Sequence, residues 1–496
     1  MPLVFTMKNT LLAPALIALT ALLAAPGAAH AQAFASGQNA DVVIGKPNFT
    51  TSTPATPTAS NLGAAAGAFV DPVSGKLFVS DPANNRVLRF SSAAAAASAS
   101  AAEAVFGQPD FTTGTANTGG RSSTSLSNPT GIFVDSTGAL WVADSNNNRV
   151  LRFDAATTDP VTIATLTADQ VLGQGDFTTG AANTTSSTLS SPNGVCLDTG
   201  GRLYVADYAN NRVLRFDGAA ALANGAAATV AFGQLLFTTS TSGDLSTQMD
   251  NPYGVSVDAA GRLWVADFSN NRVLRFDNAA AAAVNDPAAD AVLGQAGFGA
   301  STAGTTQAAM SGPTGVFAAT DGRLWVSEYT NNRVTWFDNA AAVASGGAAS
   351  GVLGQTTFTS AASGLTQSAF NLPSGVFQDV SGHVWVSDFA NRRALRFTAL
   401  PTPALQAPLI SLRGKAKRTT AAAKLQIDGL SGDEDGTVVS VKGNVNSGSY
   451  TNAKGTSPWH YIARHLKYGT NHIKIRAIDN SGLKSAFLRV TIIRRR

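Results

Sequence analysis

Six acidic side chains and six arginines recur at one fixed spacing along this 496-residue chain. The acids are Asp81, Asp144, Asp207, Asp267, Glu328 and Asp388. Five residues after each stands an arginine: Arg86, Arg149, Arg212, Arg272, Arg333 and Arg393. Carboxylates beside guanidiniums can bind ions or move protons, but the spacing argues for another use. A catalytic group is needed once, whereas these recur at steps of 63, 63, 60, 61 and 60 residues. Asparagines fill the gap between acid and arginine, as in Asp207-Tyr208-Ala209-Asn210-Asn211-Arg212. A short acid at the head of a tight turn accepts backbone N–H bonds, and Asn tolerates the left-handed backbone such turns need. The arginine then pairs with an acid across the hairpin or in the next repeat. Calcium needs several oxygens converging on one point, which one acid per repeat does not supply. All twelve are read as structural turn residues, with no catalytic residue, metal ligand or cofactor implied.

Other reactive types are sparse. Cys196 is the single cysteine and stands where other repeats carry Phe133, Ser256 or Phe317, so it reads as a small strand residue. The repeats contain one histidine, His383, at a turn position filled elsewhere by Lys76, Arg202, Arg262 and Arg323; it reads as a surface slot. His460, His465 and His472 lie in the tail, and no HExxH, CxxC, GxSxG or P-loop pattern occurs. The clearest asymmetry is aromatic. Tyr208, Phe268, Tyr329 and Phe389 follow the marker acid in four successive repeats, where the first two carry Pro82 and Ser145. With Tyr253, they are the candidate binding residues, a platform for a sugar or a peptide.

These residues ride on a repeated scaffold. The block GRLWVADFSNNRVLRF (residues 261–276) has five further copies, beginning at Gly75, Gly138, Gly201, Gly322 and Gly382. Each repeat shows four short runs rich in Val, Leu and aromatics, separated by Gly, Asn and Pro, the pattern of all-β structure. A trailing element (VLGQ and variants) begins at Val43, Val105, Val171, Ala231, Val292 and Val352. It precedes the first marker block and is missing after the last, so the two series are out of phase by one. Ring closure explains this, with residues 43–49 supplying the outer strand of the last blade. The fold expected is all-β, a six-bladed β-propeller of four-stranded antiparallel blades, followed by a small β-sandwich. The Ala-rich tracts at residues 93–97 and 279–283 are short helices at most, within connections between third and fourth strands.

The GVxxDxxGxLWVADxxNNRVLRF blocks, the trailing VLGQ and the Asn251-Pro252-Tyr253-Gly254 turn resemble the NHL-repeat family of β-propellers over residues 42–398. The resemblance implies the six-bladed fold and no particular activity, since the family includes binding modules and a few lyases. The NHL-like lyases lean on histidine, with zinc in the peptide-amidating case, and this propeller lacks those residues.

Residues 1–31 read as a secretory signal, with Lys8, an apolar run interrupted by Pro14, and Ala29-His30-Ala31 as cleavage site. The expected destination is the periplasm or the exterior, with no transmembrane segment. Residues 399–408 are a Pro-rich linker. Residues 409–496, with Trp459 and the run from Gly469 to Ala477, resemble a bacterial immunoglobulin-like sandwich. The tail from residue 401 holds 16 Lys+Arg against 5 Asp+Glu, while residues 32–400 hold 18 against 26. An acidic body and a basic tail are separate electrostatic objects.

The reading that follows is an exported binding scaffold. Its loop face takes a protein, peptide or glycan, and its tail serves as spacer or attachment module for an anionic envelope polymer; nucleic acid is not expected. The alternatives are a lyase or lactone hydrolase using carboxylates at the central channel mouth (Asp110, Asp244 or Asp250), and a structural component of the cell envelope. Departures from the repeat, chiefly Glu328, Trp336 and Arg392 in the last two blades, are where a site is expected.

Overall fold

The computed structural model describes residues 33–154, 156–158, 166–400, 408–433, 437–480 and 482–496. The expected signal and most of the linker lie outside the described residues. The chain divides into two compact units, to Leu400 and from Pro401.

The first unit is built from six four-stranded antiparallel sheets. Blade three shows how sequence makes a blade. Its strands are Pro192–Leu197, Leu203–Asp207, Arg212–Phe216 and Val230–Phe232. The second and third are buried along their whole length, so neither has an exposed face, and Asp207, Arg212 and Arg215 are buried with the apolar residues. Their register runs from Leu203 opposite Phe216 to Asp207 opposite Arg212. The turn between them is one 3-10 turn, Tyr208–Asn210, closed by Asn211 at φ 52°. Every hairpin uses this left-handed residue: Asn85, Asn148, Asn211, Asn271 and Asn332, and in blade six Arg392 at φ 56°. Asn adopts that backbone readily and Arg does not. Arg392 is held there by its guanidinium, which donates to the Ser52 carbonyl at 2.9 Å.

The six first strands stand side by side around the axis. Where they meet, each carries a glycine. A Cβ on Gly254 would lie 2.2 Å from the Thr314 carbonyl oxygen of the next blade, and one on Gly131 would lie 2.3 Å from that of Asn193. The ring closes as expected. Val42–Ile44 pairs antiparallel with Arg393–Phe397, so the first strand of the chain completes the last blade. The unit also reaches further back than the repeats: Ala33 bridges Leu400, and Phe34 sits edge-on to Trp325 with ring centroids 5.0 Å apart. Of the Ala-rich tracts, Ala279–Ala281 forms a 3-10 turn, whereas residues 93–97 form no helix.

The second unit is a two-sheet sandwich. One sheet orders Leu409–Arg413, Leu425–Gly432 and Trp459–Ala463. The other orders Lys417–Thr420, Leu488–Arg494, Gly469–Asp479, Val438–Val445 and Thr451–Asn452. Ile427, Trp459 and Tyr461 from the first meet Val441, Ile473, Ile475, Val490 and Ile492 from the second in one core.

Candidate binding face of the propeller

The acid–arginine pairs are fully buried staples. In blade three, one carboxylate oxygen of Asp207 accepts the Ser190 backbone N–H at 2.6 Å. The other accepts the Asn210 amide and the Arg212 Nε, both at 2.8 Å. The remaining Arg212 nitrogens donate to the carbonyls of Thr185, Thr188 and Phe237. One side chain thus ties the loop entering the blade to the loop leaving it. Of the two pairings open in the sequence, the arginine takes the one across its own hairpin. The backbone donors come from the incoming loop, not from the turn the acid heads. In blade one, Gly63 and Ala64 donate to Asp81 at 2.9 and 3.0 Å. Burial pushes these carboxyls up, Asp267 and Asp388 to about 6, and the arginine, the asparagine and the backbone donors pull against it.

A second polar node closes the opposite end of the blade. Asp135 at the end of the first strand accepts Trp141 Nε1 at 2.9 Å, and Asp379 accepts Trp385 Nε1 at 3.1 Å. The guanidiniums of Arg152, Arg275 and Arg396 lie over Trp141, Trp264 and Trp385. His383, expected as a surface slot, is half-buried, with Nδ1 3.1 Å from Asp379.

The irregularities of blades five and six, expected to mark a site, are local repairs of this scaffold. Blade five has Ala319 where the others have Asp, and Trp325 Nε1 donates instead to Gln378 of blade six at 2.8 Å. Trp336, in place of arginine, packs against Trp325 at 5.3 Å, and Arg323 takes the place over the indole. Glu328 reaches Asn331 and Arg333 as the aspartates do, and its second oxygen accepts the Thr335 hydroxyl at 2.9 Å. Glu328 and Trp336 thus both meet buried partners, whereas Arg392 is half-buried against the Ser52 carbonyl.

The aromatic residues behave differently. Tyr208, Tyr253, Phe268, Tyr329 and Phe389 form one continuous arc on the face of the marker turns. Successive ring centroids are 6.0, 6.2, 6.4 and 6.3 Å apart. All five are half-buried, so each keeps part of its ring open. Pro82 and Ser145 are buried on the other two blades, and the arc stops there. Asp250 stands beside Tyr208. Burial raises its carboxyl, and its charge adds to the burial that raises the Tyr208 hydroxyl. Tyr253 lines the channel itself. Its hydroxyl is pushed up to about 12, chiefly by burial, with Ser374 of blade six pulling against it.

Beneath Tyr253 the axial channel holds a cavity of about 130 Å³. Phe69, Phe133 and Phe317 line one side of it, and Phe377 packs against two of them: Phe69 lies 4.9 Å from Phe133 and 4.4 Å from Phe377, and Phe377 lies 4.6 Å from Phe317. The two remaining blades carry Cys196 and Ser256 at that level. Cys196 is buried, and burial raises its thiol far above the usual range. Among the described residues, no Asp, Glu, His, Lys or Arg lines the cavity. None of the three carboxylates considered for the channel mouth is among the residues that line this cavity. Asp110 is exposed and holds its own loop through Thr112 and Thr113. The Asp244 carbonyl accepts Arg272, and Asp250 belongs to the arc.

With this geometry in view, three stretches of the chain match the NHL repeat: residues 126–153, 189–216 and 249–276. They are the inner three strands of blades two, three and four. Three of the six blades are therefore NHL repeats. The other three blades share the staple, the left-handed turn residue and the strand order. No curated protein matches the chain. Among solved structures, a streptogramin B lyase is similar at 14 % identity and TM-score 0.40, covering 70 % of this chain and 96 % of that one. The virginiamycin B lyase from Staphylococcus aureus is similar at 12 % and 0.37, covering 67 % and 94 %. A luciferin-regenerating enzyme is similar at 10 % and 0.39, covering 70 % and 93 %. At these identities and scores the likeness bears on neither site nor activity.

Proposed function

We propose that the chain is an exported binding module whose NHL propeller presents the aromatic arc to an uncharged chain ligand, a glycan or a peptide. The second unit serves as spacer or attachment module. One observation carries the reading: five half-open rings in unbroken contact on a single face, where every repeated polar group is already spent on the scaffold. Rings held against one another lose little freedom on binding and offer flat apolar faces to sugar C–H groups or to side chains. Asp250 and the hydroxyls of Tyr208 and Tyr329 supply polar contacts that orient a ligand. Export rests on the signal-like residues 1–31.

A glycan and peptide array probed with residues 32–496 tests this. Binding to at least one ligand is expected, weakened roughly tenfold by Tyr208→Ala and again by Phe268→Ala, with thermal unfolding unchanged. Ligands that bind both variants as tightly as the parent would remove the arc from the site.

A further inference from the structure

The second unit carries a recess of about 580 Å³ at one open edge of its sandwich. It lies between Trp459–Ala463, the edge strand of the three-stranded sheet, and Thr451–Asn452, the edge strand of the five-stranded sheet. Lys454, Arg464 and Lys467 line it with His460 and His465, and among the described residues no acidic one is in its lining. Three fixed positive charges therefore share one concavity in a unit that holds 16 basic against 5 acidic residues from residue 401 onward.

These cations stand on rigid backbone. Lys454 and His460 exchange two backbone hydrogen bonds of 2.9 Å, which fasten one wall of the recess to the other. The loop bearing Arg464, His465 and Lys467 is pinned by Asn471, itself fully buried. Its amide oxygen accepts the Lys467 backbone N–H at 2.9 Å, and its nitrogen donates to the Lys467 carbonyl at 2.8 Å. Asn446 on the facing loop donates to the same Asn471 oxygen at 2.8 Å. Arg494 adds a bond of 2.7 Å to the Leu466 carbonyl. His460 is set by Asp428, 2.7 Å from its Nδ1. Cations carried on a held backbone bind an anion at a smaller entropic cost than the same charges on free loops.

We propose that this recess binds an anionic polysaccharide, its sulfate, phosphate or carboxylate groups meeting Lys454, Arg464 and Lys467. Exposed Ser449 and Asn452 in the lining supply the hydroxyl and amide partners that sugar hydroxyls take. A single-stranded nucleic acid needs open aromatic faces on which to stack its bases. Among the described residues the lining holds no Phe or Trp, its tyrosine, Tyr461, is 3 % exposed, and only the small imidazole rings of His460 and His465 remain for stacking. This deepens the attachment role given above to the second unit and is independent of the arc.

The test uses residues 32–496, with dextran sulfate as probe and uncharged dextran as control, at about physiological salt, where diffuse charge is largely screened. Binding to dextran sulfate alone is expected, weakened at least about tenfold by Arg464→Glu with Lys467→Glu. Lys415→Glu with Lys417→Glu makes the same charge change at the opposite edge of the five-stranded sheet and is expected to weaken it far less. Equal losses in the two pairs would overturn the recess in favour of diffuse attraction. So would a double variant at the recess that binds like the parent. Binding to phosphatidylglycerol vesicles or to a single-stranded oligonucleotide, without binding to dextran sulfate, would overturn the polysaccharide. Unchanged array binding in the recess variants separates a failure here from a failure of the arc.

Discussion

The two units of this chain spend charge in opposite ways. In the propeller, six arginines and six acids are withdrawn from water and used as staples, each pair fully buried with its hydrogen bonds made inside the fold. In the sandwich, the core is apolar and the cations Lys454, Arg464 and Lys467 are exposed at an edge. A charge inside a ring of repeats organises loops. A charge at the rim of an apolar core is free to meet a partner. The contrast teaches that abundance is a poor guide to a site: the twelve most repeated ionisable residues here are the least available ones.

The sharpest way to break the comparison is to remove one staple. Arg212→Ala leaves Asp207 buried without its cation, and strips three loop carbonyls of their donor. A loss of about 3–5 kcal/mol in urea unfolding of the propeller is expected, whereas Lys467→Ala in the sandwich is expected to change stability by less than about 0.5 kcal/mol. Similar costs at the two positions would erase the distinction.

A smaller effect probes the backbone instead of charge. Gly254→Ala places a methyl group 2.2 Å from the Thr314 oxygen and must part blades four and five, at an expected cost of about 1–3 kcal/mol. Gly432→Ala in the sandwich meets nothing within 4 Å and is expected to be near neutral. Thermal unfolding of the two variants reads the difference.

The smallest effect is a pH slope. Asp267 and Asp388 titrate near 6 in the folded chain against 3.8 for a free side chain. Between about pH 4 and 6 the folded state holds protons that the unfolded state releases, so these acids make stability fall as pH rises through that window. Loop acids such as Asp110 and Asp176, held low chiefly by the hydroxyls of Thr112 and Thr178, act below it. Urea midpoints from pH 4 to 6 are expected to decline with rising pH, less steeply in Asp267→Asn. A slope unchanged by that substitution would show that the staple does not titrate there.

What the sequence made legible was whatever repeats. Equal spacing of the marker acids exposed the blades, and the phase slip of the VLGQ element exposed the seam between Val42–Ile44 and Arg393–Phe397. The arc was half legible: the aromatics stood out against Pro82 and Ser145, but only folding sets Tyr253 between Tyr208 and Phe268. Residues that meet across unrelated positions gave no signal. Trp336 looked like a functional departure because Phe34 and Arg323, which complete its environment, are far from it in the chain or hidden among turn residues. The edge strand Lys417–Thr420 is not legible in the sequence because its charged, half-open pattern imitates a loop. Lys454, Arg464 and Lys467 are unremarkable until two sheet edges bring them to one recess.

The seam has a mechanical consequence. The strand Arg393–Phe397 leads to the end of the propeller at Leu400, yet it is an inner strand, bonded to Val384–Asp388 on one side and to Val42–Ile44 on the other. A pull on the chain beyond Leu400 therefore enters the blade between two ladders and loads both in shear, where many bonds must give together. It does not peel an outer strand one bond at a time. A protein anchored through its second unit would meet drag at the place where its ring is doubly gripped.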